Sequence, residues 1–121
     1  MKKKILIVED NVGLSQMQKD WFSQAGYEAV TAMNEPIARS LIRKTQFDLI
    51  LSDVRLPEGD GISLLEWLRK EKKDIPFIIT TEYVSVPDVV RTIKLGAIDY
   101  LPKPVRKEHL LELAEDVFRP M

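Results

Sequence analysis

Ile5-Leu6-Ile7-Val8 is an unbroken apolar run that stops abruptly at Glu9-Asp10. A strand wetted on one face alternates apolar and polar residues, whereas a strand covered on both faces reads as a continuous hydrophobic stretch. The same signature recurs in Leu49-Ile50-Leu51 and in Phe77-Ile78-Ile79. Three such runs demand a sheet with helices on both sides, and the intervening segments supply them. Leu14, Met17, Trp21 and Ala25 fall at helical spacing, and Gly26 stops that helix. Tyr27–Thr31 reads as a second strand. Asn34 is a candidate N-cap with Pro36 in the first turn, and Ile37, Leu41 and Ile42 mark a helix face. The third strand is expected at Asp48–Ser52. After the Asp60-Gly61 turn a helix runs from Ile62 to Lys72. The fourth strand is Phe77–Thr81 and the fourth helix Val86 to Leu95, closed by Gly96. Ile98–Leu101 is a short fifth strand, and Glu108 to Phe118 the last helix.

Strands alternating with helices give parallel pairs joined by right-handed crossovers. The expected architecture is α/β: a doubly wound, five-stranded parallel sheet in the order 2-1-3-4-5 with five helices, as in flavodoxin-like folds. The 121 residues form one domain, 1–121, and no output domain is read within them. A net charge of -1 removes any general pull toward nucleic acid or an anionic membrane. With no cysteine, disulfides, thiolate catalysis and cysteine metal sites are excluded. Lys2-Lys3-Lys4 leads into an apolar run too short for a signal peptide or a membrane span, so a cytoplasmic location is expected.

In this architecture ligands bind beyond the carboxyl ends of the strands, at the switch point between strands 1 and 3. Glu9-Asp10, Asp53, Thr80-Thr81 and Lys103-Pro104 all stand at strand ends on that rim. Taken singly, acids after strands are helix caps or solvated loop residues. Three carboxylates converging on one rim repel one another unless a hard cation sits among them. Mg²⁺ suits oxygen ligands, and the backbone carbonyl of Arg55 is placed to add one. A carboxylate beside the cation can attack phosphorus, as Asp nucleophiles do in aspartyl-phosphate chemistry. An ammonium at Lys103 and a threonine hydroxyl would offset charge on the phosphoryl oxygens. A cis Lys103–Pro104 bond would turn the lysine back toward the rim.

Five pieces in order make the chain resemble the receiver domain of bacterial response regulators (the CheY-like superfamily) over nearly its whole length. They are Ile7-Val8-Glu9-Asp10-Asn11, Asp48-Leu49-Ile50-Leu51-Ser52-Asp53, Leu56-Pro57-Glu58-Gly59-Asp60-Gly61, a hydroxyl residue after the fourth strand, and Gly96-Ala97-Ile98-Asp99-Tyr100-Leu101-Pro102-Lys103-Pro104. The resemblance implies that Asp53 accepts a phosphoryl group from a histidine kinase or phosphotransfer protein. Glu9, Asp10, Asp53 and the Arg55 carbonyl would bind Mg²⁺, and Lys103 would pair with the phosphoryl group. Thr81, by its spacing, would be the switch hydroxyl and Tyr100 the switch aromatic. The face of helix 4, strand 5 and helix 5 would then change and control an output domain or partner protein, with transcription as the expected output. The same face is the expected site of any homodimer. The chain would assist its own phosphorylation and dephosphorylation without being an enzyme in the usual sense.

Glu82 departs from the family pattern, which is usually very small there. A long acid at that point either narrows access to the phosphoryl pocket or points to solvent. Three rivals stand beside this reading. Phosphatases with an Asp nucleophile carry a second Asp two residues on, where this chain has Arg55. A flavin or nucleotide binder needs a Gly- or Ser/Thr-rich loop after strand 1, where Glu9-Asp10 would repel phosphate. The strongest is a degenerate receiver acting as a phosphorylation-independent interaction module. Trp21 and Trp67 read as packing, the latter partly exposed. His109 reads as a solvated residue, and Lys70, Lys72 and Lys73 as cations suited to a helix end.

Overall fold

A computed structural model describes residues 1–120. Strands β1 (Lys4–Val8), β2 (Glu28–Ala32), β3 (Leu49–Asp53), β4 (Phe77–Thr81) and β5 (Asp99–Pro102) alternate with helices α1 (Val12–Gln24), α2 (Glu35–Lys44), α3 (Gly61–Lys70), α4 (Val86–Lys94) and α5 (Lys107–Phe118). The strands are parallel and ordered β2-β1-β3-β4-β5, as expected from the sequence. Among the described residues no helix is long and apolar enough to cross a membrane.

The unbroken apolar runs have a simple cause. Successive side chains of a strand point to opposite faces. Leu6, Val8, Ile50, Phe77 and Ile79 join one core with Ala38 and Ile42 of α2 and Ile62, Leu64, Leu65 and Leu68 of α3. Ile5, Ile7, Leu49, Leu51 and Ile78 join the other with Phe22 of α1 and Leu110 and Ala114 of α5. Truncating a fully buried strand residue such as Ile50 to Ala would cost about 2–5 kcal/mol.

The structure corrects the expected face of α1. Met17 is exposed and so is Ala25, while Ser15, Gln18 and Phe22 are buried and Leu14 and Trp21 flank them. Two polar residues on the buried stripe disguised it. Boundaries moved by small steps elsewhere. β2 pairs from Glu28 to Ala32 because the Glu28 N–H donates to the Lys3 carbonyl at 2.9 Å, and β5 is Asp99–Pro102. α3 starts at Gly61, capped by Asp60, whose Oδ1 accepts from the Ser63 N–H at 2.6 Å. It ends before Lys72, which sits at φ 59°. Asn34 caps α2 as expected, accepting from the Ile37 N–H at 2.9 Å.

Candidate functional site

β1 and β3 are neighbours and run in the same direction, so their carboxyl ends open on one rim. Asp53 is the last residue of β3 and only 8 % exposed. Glu9 follows β1 and continues its pairing with β2 through a 2.9 Å bond from its N–H to the Ala32 carbonyl. Its side chain is buried, and Oε2 accepts from the Asn11 N–H at 3.0 Å. Asn11 also caps α1 through the Leu14 N–H, so the start of α1 and the position of Glu9 are set together. Asp10 between them is exposed. One carboxylate oxygen from each of Glu9, Asp10 and Asp53 lies within 4.8 Å of the others.

Lys103 reaches this cluster from the far side of the sheet. Its N–H donates to the Thr81 carbonyl at 2.7 Å, just past β5, and the Lys103–Pro104 peptide is cis. The ammonium donates to Glu9 Oε1 at 2.7 Å and to Asp53 Oδ2 at 2.9 Å. Burial pushes the Glu9 carboxyl above its usual value, against the lowering pull of Lys103 and the Asn11 amide. Burial alone would lower the Lys103 ammonium, but its hydrogen bonds to Glu9 and Asp53 prevail and raise it.

Past β3 the Arg55 N–H makes a long 3.4 Å bond to Asp53 Oδ1, and Arg55 bridges Asp60. The Arg55 guanidinium lies 5.0 Å from the centre of the Tyr83 ring, in cation–π range. Thr81, at the end of β4, is 1 % exposed. Its hydroxyl donates to the Tyr83 carbonyl at 3.0 Å and accepts from the Tyr83 N–H at 3.1 Å. Thr80 is also buried, but it serves the sheet, its carbonyl accepting from the Val54 N–H at 2.9 Å. Tyr100 on β5 is half-buried, and its hydroxyl is shielded from solvent without a hydrogen-bond partner. The ring lines a groove of about 430 Å³ with Val84, Val89, Thr92 and Ile93.

Residues 5–115 match the family model of the response regulator receiver domain. The chain belongs to that family. The response regulator protein PilR of Pseudomonas aeruginosa is 31% identical over 118 residues, covering 98% of this chain and 26% of the relative. The transcriptional regulatory protein ZraR of Salmonella typhimurium is 36% identical over 118 residues, covering 94% of this chain and again 26% of the relative. The receiver chain therefore spans about a quarter of the length of those two regulators. It also spans 45% of the probable transcriptional regulator ycf27 of Cyanophora paradoxa. Among solved structures, a CheY-like receiver domain protein from Methanospirillum hungatei superposes with a TM-score of 0.91 at 32% identity, covering 97% of this chain and 94% of that one. The non-phosphorylated HemR receiver domain of Leptospira biflexa gives 0.89 at 36% identity, with 99% of each chain covered.

All the residues the sequence placed on the rim of the receiver lie at the carboxyl ends of its strands or in the loops that follow. Glu9, Asp10, Asp53 and Lys103 come together directly. Thr81 is engaged with Tyr83 instead, and Tyr100 sits beside the groove. Glu82 is exposed. The donor set fits a hard divalent cation. It consists of oxygen atoms, and three carboxylates against one ammonium leave an excess of negative charge at the rim.

Sequence reasoning missed Glu35. Next to Pro36 at a helix start, it reads as an ordinary acid in a first turn. In the structure it is 4 % exposed and accepts from Arg39, Ser63 and the Asp60 backbone. Its loop partner lies 25 residues on, so no local pattern announces it. The one local hint is Gly59, whose lack of a side chain makes the room Glu35 occupies.

Proposed function

We propose that this receiver is a phosphoryl-accepting switch, acting in the cytoplasm, with Asp53 as the acceptor. The observation that carries the reading is the Asp53 carboxylate, buried at the end of β3, bonded to Lys103 and clustered with Glu9 and Asp10. An Asp53 oxygen attacks the phosphorus of a phosphohistidine on a histidine kinase or phosphotransfer protein. The P–N bond breaks, and the departing imidazole keeps its electron pair and takes up a proton. Glu9, Asp10, Asp53 and the Arg55 carbonyl would hold Mg²⁺, which when bound offsets the negative charge of the phosphoryl oxygens.

Lys103 gives up its bonds to Glu9 and Asp53 and pairs with the new phosphoryl group, whose two charges attract it more strongly than one carboxylate. Thr81 trades its two bonds to Tyr83 for one to a phosphoryl oxygen. Tyr100 shifts as Thr81 moves, and the face formed by α4, β5 and α5 changes. The phosphoryl group needs only to favour one of two existing arrangements by its differential interaction with them. That face carries exposed apolar residues suited to a protein partner: Val86 is 72% exposed and Ile93 66%. Its partner is an output domain or protein, with transcription as the output and a second receiver as a candidate dimer mate. No contact of this domain with nucleic acid is proposed.

Incubation with Mg²⁺ and acetyl phosphate, read by intact mass, tests the acceptor. The wild type gains one phosphoryl group and Asp53→Asn gains none. A beryllium fluoride titration covers the case of a short-lived acyl phosphate. Failure of both in the wild type makes the chain a phosphorylation-independent interaction module.

A further inference from the structure

Glu35 is a buried acid on the helix next to the site, and the acceptor chemistry described above makes no use of it. Its position at the start of α2 would suit a solvated acid interacting with the helix dipole. Its side chain is instead 6% exposed and fully engaged. Oε2 accepts from the Arg39 Nε at 2.8 Å, from a second Arg39 nitrogen and from the Ser63 hydroxyl at 3.2 Å. Oε1 accepts from the Asp60 N–H at 3.0 Å, and the Glu35 N–H itself donates to the Glu58 carbonyl at 3.1 Å. α2, the neighbouring helix of the same layer, thus grips the β3–α3 loop at Glu58 and Asp60.

The gripped loop is the one that must place a metal ligand. Asp60 pairs with Arg55 in an isolated bridge, and the Gly61 N–H donates to the Val54 carbonyl at 2.9 Å. Arg55 in turn bonds Asp53 Oδ1. A continuous set of contacts therefore runs from Glu35 through Asp60 and Arg55 to the acceptor. Gly59 is fitted to this grip. A Cβ there would stand 2.2 Å from Glu35 Oε1 and 2.7 Å from its Cβ.

We infer that Glu35 is a positioning residue, which holds the β3–α3 loop so that the Arg55 carbonyl completes the Mg²⁺ site beside Asp53. The inference rests on the receiver reading above. Groups behind a metal ligand are known to govern affinity, by about 10–100-fold when removed.

The test uses the whole chain and Mg²⁺ alone, by titration calorimetry, with no phosphodonor. Glu35→Gln keeps the shape and an acceptor for Asp60, but turns an amide toward the Arg39 donors. The expected result is a Kd for Mg²⁺ raised about tenfold. With acetyl phosphate, the variant is slow at low Mg²⁺ and regains the wild-type rate at saturating Mg²⁺. A loss of thermal stability with unchanged Mg²⁺ affinity makes Glu35 structural only and overturns the inference. Should Glu35→Gln not fold, Arg39→Gln loosens the same grip from the surface, and the same two outcomes decide. A wild type that binds Mg²⁺ but takes no phosphoryl group or analogue sinks the acceptor reading while leaving the Glu35 test intact. One that binds no Mg²⁺ overturns the positioning role as well.

Discussion

The hydroxyl of Thr81 is bonded twice to the backbone of Tyr83, donating to its carbonyl at 3.0 Å and accepting from its N–H at 3.1 Å. In the proposed switch these bonds would give way to one with a phosphoryl oxygen. Each is worth about 0.5–1.5 kcal/mol net, so the exchange is close to balanced and a single strong acceptor tips it. Thr81→Ala is expected to keep Asp53 phosphorylation, within about tenfold in rate, and to lose the response of α4 and Tyr100. Amide chemical shifts of α4 with and without beryllium fluoride read this. A full α4 response in the variant would remove Thr81 from the switch.

In the proposed site, Lys103 and Mg²⁺ would compete for the same carboxylates. Lys103→Met leaves Glu9 and Asp53 without their ammonium in a nearly buried setting, at a cost of about 3 kcal/mol to the metal-free protein. The same change raises Mg²⁺ affinity, by about tenfold, because a competing positive charge has gone. Urea unfolding in chelator and in Mg²⁺ should show the deficit shrinking in the metal. Phosphorylation of Asp53 should nevertheless fall, since no ammonium remains to meet the phosphoryl oxygens.

The raised Glu9 carboxyl would give the proposed Mg²⁺ binding a pH dependence. Between its usual value of 4.5 and the raised one, the folded protein holds more protons than the unfolded chain. Stability of the metal-free protein therefore decreases as pH rises through that window. Mg²⁺ requires the carboxylate, so its affinity increases over the same window. Titrations upward from pH 4.5 should show this slope in the wild type and a flatter one in Glu9→Gln. Lys103 acts at the other extreme. Its raised value means that its contribution is complete below 10.5 and lost as pH climbs through the folded value.

Gly61 is required by close approach. A Cβ there would lie 2.2 Å from the Asp53 carbonyl oxygen and 2.8 Å from Ser52 Oγ. Backbone cannot swing aside as a side chain does, so Gly61→Ala displaces the end of β3 itself. The expected cost is about 1–3 kcal/mol, with phosphorylation reduced even where the protein remains folded. Gly13→Ala is the control. Its new Cβ meets only Asn11 Oδ1 at 3.5 Å, and the helix gains up to about 1 kcal/mol. Thermal melts and intact mass on the pair separate general stability from acceptor geometry.

Much of this was legible in the chain. Burial on both sides of the sheet writes itself as unbroken apolar runs, so the strands and their order could be read. Site residues at strand ends follow from the architecture, which is why Glu9, Asp10, Asp53 and Lys103 were found together. The α1 face was misread because Ser15 and Gln18 occupy buried positions that hydrophobic periodicity assigns to apolar residues. Glu35 was missed for another reason. Its role lies in hydrogen bonds to a distant loop, and such bonds leave no period. The pairing of Thr81 with Tyr83 is likewise a choice among local geometries that composition does not encode.

The Tyr100 hydroxyl, shielded and without a partner, would bear on the signalling threshold of the switch proposed above. A dry, unpaired hydroxyl costs about 1–3 kcal/mol, which corresponds to a factor of about 5–150 in the balance between two arrangements. That oxygen acts as a spring compressed whenever the ring is tucked in. A phenyl ring at the same place has no such spring, so in the proposed switch Tyr100→Phe should favour the arrangement that shields this end of the ring before any signal arrives. In that proposed switch, the stiffness supplied by one atom would set how much phosphorylated protein must accumulate before the output responds.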